Sequence, residues 1–133
     1  MDKLETLSYL GSIKTPFMPT LILSSIVCEI PEESDKDEIY LMLQGKKIWP
    51  QNKKYLKIDV DEMLPVGLKF NIKGPGIMKL ELWEYDVTSK NDHLGTFHLD
   101  FKNLDSGNFT ELLIRNEAGA EKASYYLNWE MRD

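Results

Sequence analysis

The chain has 133 residues, 42% of them apolar and 29% charged, the proportions of a single soluble globular domain long enough to bury its own core. Its 22 acidic against 16 basic residues give a formal net charge of −6, which argues against a nucleic-acid partner held by a broad basic surface and leaves membrane contact to a local basic patch or a bridging cation. The lone Cys28 and two scattered histidines, His93 and His98, exclude an intramolecular disulfide and the usual zinc patterns.

The first five residues, Met1-Asp2-Lys3-Leu4-Glu5, carry mixed charge with no long apolar run behind them, so no secretory signal is expected. No stretch approaches the roughly 20 apolar residues that span a bilayer. The expected location is cytoplasmic, with peripheral membrane association or export by a route that reads no such signal as the other options. Residues 1–19 read as an arm: Leu4, Leu7, Tyr9 and Leu10 suit a short amphipathic turn or strand, and Pro16 and Pro19 stop regular structure. Such an arm either covers a sheet edge or docks another chain. The domain proper is expected over 20–133.

Leu21–Ile30 is β-branched and apolar and reads as a strand, with Cys28 as a small buried hydrophobe. An acidic loop follows, with Glu32, Glu33, Asp35, Asp37 and Glu38 against Lys36. Ile39–Leu43 and Lys47–Trp49 flank Gln44-Gly45-Lys46, a hairpin signal. Tyr55–Val60 alternates, with Leu56, Ile58 and Val60 on one face. Asp61–Gly67, containing Pro65, reads as a loop and Leu68–Ile72 as a strand with Leu68, Phe70 and Ile72 inward. Lys73-Gly74-Pro75-Gly76 is a turn leading into the central strand.

That strand alternates Met78, Leu80 and Leu82 against Lys79, Glu81 and Trp83, and runs into a loop bearing Glu84, Asp86 and Asp92. A further alternating run covers Thr96–Phe101. The last two strands are expected at Phe109–Arg115 and Ser124–Met131, separated by Asn116–Lys122. About eight strands with turns between them and no convincing helix make an antiparallel β-sandwich, with Leu80, Leu82, Phe97, Leu99, Leu127 and Trp129 in its core.

The run Trp83-Glu84-Tyr85-Asp86, then Ser89-Lys90-Asn91-Asp92, then Leu94-Gly95, resembles the third calcium-binding loop of C2 domains, with Glu84 standing where that family usually has Asp. Asp37-Glu38-Ile39-Tyr40-Leu41 is similar to the opening of the strand after the family's first loop, without its proline, and Ala123 to Trp129 resembles the ending of small bacterial C2-like domains. The resemblance covers roughly Leu21 to Met131. It implies an all-β, eight-stranded C2-like sandwich in which Asp35, Asp37, Glu84, Asp86 and Asp92 hold a calcium ion, with Glu33 and Glu38 as substitutes in the first loop. Calcium wants six to eight oxygen ligands, several of them carboxylate. Taken without the resemblance, the same acids are those of solvated turns.

Lys46, Lys47, Lys53, Lys54 and Lys57 form the basic part of this acidic chain. The C2 resemblance implies a lysine surface for anionic lipid headgroups; lysines on exposed strands also block edge-to-edge pairing. Trp49, Trp83 and Trp129 suit core or rim positions, and Trp83 beside the acidic loop also suits a contact surface. No Gly-x-Ser-x-Gly elbow, phosphate loop or dinucleotide fingerprint is present, and no nucleophile, histidine and acid assemble from spacing alone. The expectation is a binding module rather than an enzyme. It either responds to calcium and engages anionic lipid or a protein, or serves without calcium as a structural or adaptor subunit.

Overall fold

A computed structural model describes residues 18–118 and 122–133. The arm expected at 1–19 lies outside the described residues except for Met18 and Pro19. Among the described residues the strands are β1 (Thr20–Ile30), β2 (Asp37–Leu43), β3 (Lys46–Trp49), β4 (Leu56–Ile58) and β5 (Met63–Asn71), followed by β6 (Ile77–Glu84), β7 (Asp92–Asp100), β8 (Gly107–Leu112), β9 (Ile114–Arg115) and β10 (Ser124–Arg132). One sheet has the order β9-β7-β6-β2-β3, with β4 also paired to β2, and the other has the order β5-β1-β10-β8. Every pairing is antiparallel, so the chain forms the expected sandwich.

Period-two alternation builds the core between the sheets. Leu80 and Leu82 of β6 meet Phe97 and Leu99 of β7 and Leu127 and Trp129 of β10, all buried, as the sequence predicts. In β1 the phase changes. Leu21 and Leu23 point inward, a register shift falls between Leu23 and Ser25, and Ile26 and Cys28 then take the inward positions. The extra residue of such a bulge resets the alternation, so a run with two consecutive serines stays one strand.

Four elements differ from the sequence reading. β7 begins at Asp92 rather than Thr96, so Glu84 and Asp92 end and open strands instead of lying in the loop. The loop expected at Asp61–Gly67 is strand from Met63, because β5 is an edge strand and an edge tolerates the missing amide of Pro65. Tyr55–Val60 shrinks to Leu56–Ile58, and Val60 is exposed. Phe109–Arg115 divides between the two sheets, with buried Leu113 at the crossing. Gly95 makes that crossing possible. It pairs with Arg115, and a Cβ there would land on the Ile114 carbonyl oxygen and the Leu113 side chain. The Gln44-Gly45 turn, with φ of 50° and 79°, is the two-residue hairpin that the sequence signals.

Candidate functional site

Register gathers the acids at one end of the larger sheet. Ile39 pairs with Glu84 and Glu84 with Asp92, so the start of β2, the end of β6 and the start of β7 lie side by side. Alternation then decides which way the side chains point. Asp37 shares its face with buried Ile39 and Leu41, and Glu84 shares its face with buried Leu80 and Leu82. Both acids are therefore driven into the top of the core, where Asp37 is 0% and Glu84 3% exposed.

Burying a charge requires compensation, and Asp37 has it. Its Oδ2 accepts hydrogen bonds from the Glu32 amide at 2.8 Å and the Tyr125 hydroxyl at 2.5 Å, and its Oδ1 accepts from the Glu33 amide at 3.0 Å. Glu84 has no such set, and its Oε1 is buried without a hydrogen-bond partner. Burial raises the Glu84 carboxyl far above the usual range, and the charges of Asp37 and Glu33 raise it further. The raised carboxyl favours the protonated form of Glu84. Burial, followed by the charge of Asp37, also raises the Tyr125 phenol, which stays a donor. Burial pushes the Cys28 thiol up to about 11, which makes it an inert core residue.

The other acids have separate roles. Asp86 accepts from the Thr88 amide at 2.9 Å and from the hydroxyls of Thr88 and Ser89 at 3.1 and 2.8 Å. These bonds hold its carboxyl below the usual range. Its amide donates to Asn91 Oδ1, and Asn91 Nδ2 donates to the Tyr40 hydroxyl, so the loop is pinned by its own side chains. Asp92 and Asp35 are exposed, and Asp35 makes no hydrogen bond or ion pair among the described residues. Glu33, also exposed, is raised by partial burial and then by Asp37, Asp86, Glu38 and Asp92.

As placed here, Asp37 and Asp86 are not free to coordinate a calcium ion: Asp37 has no accessible surface and already accepts three hydrogen bonds, and Asp86 is turned onto its own loop. Among the described residues no group of three or more acidic, histidine or cysteine side chains is arranged to hold a metal ion.

The lysines lie at the β3 and β4 edge of the same sheet, where all five are exposed. Lys47 Nζ donates to the Pro50 carbonyl. Lys53, Lys54 and Lys57 line one open groove of about 580 Å³ with Tyr55 and Leu56. Tyr55 stacks on Tyr85 at 5.1 Å between centroids, and Lys54 Nζ sits 5.6 Å from the Tyr85 ring centroid, within reach of a cation–π contact. Lys46 and Lys47 do not line this groove.

No protein-family model matches the sequence, and no curated protein does. Among solved structures, one described as "Structure of a C2 domain" aligns at 12% identity with a TM-score of 0.50, over 88% of this chain and 100% of that one. A C2 domain of plant extended synaptotagmin 1 aligns at 13% identity with a TM-score of 0.49, over 90% of this chain and 97% of that one. The fold is C2-like. In this C2-like sandwich the sequence reading misses three residues that build the loop end. Alternation assigns Tyr125 to the core alone, yet its hydroxyl holds Asp37. Asn91 joins the third loop to Tyr40. Glu32 Oε1 accepts from the amides of Lys122 and Ala123 at 3.2 and 3.1 Å, tying the first loop to the start of β10. The inward phase of Tyr125 and of Glu84 is visible as alternation; the partners of Asn91 and Glu32, 51 and 90 residues away, carry no sequence signal.

Proposed function

We propose that the chain is a C2-like binding module that works without calcium and engages anionic lipid headgroups through the groove of Lys53, Lys54 and Lys57. These three lysines share one open groove with Tyr55 and Leu56, and that shared groove carries the reading. Each lysine near an anionic membrane surface contributes about 1 kcal/mol, enough together for reversible docking by a protein whose overall charge is unfavourable. The acidic loop end plays a structural part. A calcium-responsive module would require Asp37 to release Tyr125 and two loop amides.

Co-sedimentation with vesicles tests this reading. With chelator present, the protein should bind vesicles containing phosphatidylserine or phosphoinositide and not neutral phosphatidylcholine vesicles. Binding should weaken as salt screens the lysines. Replacing Lys53, Lys54 and Lys57 by Ala should abolish it. Undiminished binding by that variant, or binding only when calcium is added, would overturn the proposal.

A further inference from the structure

Edge strands expose unpaired backbone groups, and natural sheets guard them with lysine, proline or brevity. Three edges of this sandwich are guarded in that way. β5 carries Pro65 and Lys69, the β3 and β4 edge carries Lys46, Lys47 and Lys57, and β9 is two residues long and includes Arg115. β8 is the exception. It is six residues long, pairs only with β10 among the described residues, and contains neither lysine, arginine nor proline. Beyond its pairing with β10, no backbone hydrogen bond reaches Asn108–Leu112 among the described residues. Its apolar side chains are also open: Phe109 is 36% and Leu112 55% exposed, and Ile114, just past the crossing, is 55% exposed.

The residues along β8 are self-complementary. If two copies pair antiparallel about Thr110, Thr110 lies opposite Thr110, Phe109 opposite Glu111, and Asn108 opposite Leu112. Residues directly opposite share a sheet face. Phe109 and Glu111 face the side of Trp129, on which Phe109 stacks at 4.5 Å and whose Nε1 donates to Glu111 at 3.3 Å. Thr110 lies on the other face, donating to Asn128. Glu111, the one charge on the strand, then meets an aromatic ring rather than its own copy. We propose that β8 pairs with β8 of a second copy of this chain, joining two four-stranded sheets into one across a two-fold axis. With a net charge of −6 on each copy, the dimer is weak and is strengthened by salt, the opposite of the dependence expected for lipid binding.

Sedimentation velocity of the full chain over a range of protein concentrations tests the pairing. The average mass should rise from one chain towards two as concentration increases, with those amides of Asn108–Leu112 that do not bond to β10 exchanging slowly only in the dimer. Thr110→Lys places two lysines opposite each other on the axis and should give a monomer that keeps the far-ultraviolet circular dichroism of the natural protein. Thr110→Glu should do the same, and mixing the two variants should restore the dimer. Monomer at every concentration would overturn the proposal, whether the β8 amides exchange quickly or are slowed by residues 1–17 of the same chain. A dimer that survives both single variants would overturn it as well.

Discussion

Asp37 and Glu84 show how a rule that normally places leucines can place acids. Period two along β2 and β6 continues past Ile39 and Leu82 and puts both carboxyls in the core. Asp37 accepts there from two amides and a phenol, whereas Glu84 Oε1 is buried without a hydrogen-bond partner. The sign of the pH dependence of Glu84 follows from its raised carboxyl. Between the unfolded value, about 4.3, and the higher folded value, the native state binds more protons than the unfolded chain. Its contribution to stability is complete below the unfolded value and is lost as pH rises through the folded one. Glu84→Gln keeps the shape and a donor without the titrating proton. Melting temperatures measured from pH 5 to 9 should fall more steeply for the natural protein than for Glu84→Gln, and Glu84→Gln should be the more stable of the two at the alkaline end. Parallel curves would show that Glu84 is ionised at neutral pH.

Among the elements, the strands with clear alternation are legible in the sequence and those governed by edges and crossings are not. Leu80 and Leu82 of β6, Phe97 and Leu99 of β7, and Tyr125, Leu127, Trp129 and Met131 of β10 alternate, so the inward faces of these stretches follow directly from the sequence. A register shift between Leu82 and Trp83 puts Leu94 out of that phase. The start of β5 is hidden because Pro65 reads as a loop signal until its strand is known to be an edge. The break between β8 and β9 is hidden because Phe109–Arg115 has no turn residue at Leu113; the chain changes sheets there by burying a leucine. The sequence presents Gly95 as part of a loop motif, and its physical requirement is the close passage of the Ile114 carbonyl. Gly95→Ala should therefore destabilise by about 1–3 kcal/mol or more, as an overpacked site does, with urea unfolding as the measurement. A change near zero would mean that β9 does not lie against Gly95.

At the scale of the whole molecule, charge is divided. Acids fill the loop end, lysines line the β3 and β4 edge, and β8 is nearly uncharged. The sandwich and the lysine composition are readable from sequence. Whether the acidic loops form a metal cage is not, because ligand number alone does not say which oxygens are already accepting hydrogen bonds. The structure supplies that information for Asp37 and Asp86. A cation bound only by the native state would raise stability by about 2.7 kcal/mol at a hundredfold excess over its dissociation constant, worth several degrees in a domain of this size. The most direct test is therefore the melting temperature of the natural protein, recorded in chelator and in millimolar calcium. This account predicts the same value in both; a rise of several degrees with calcium that disappears in Asp86→Asn would contradict it.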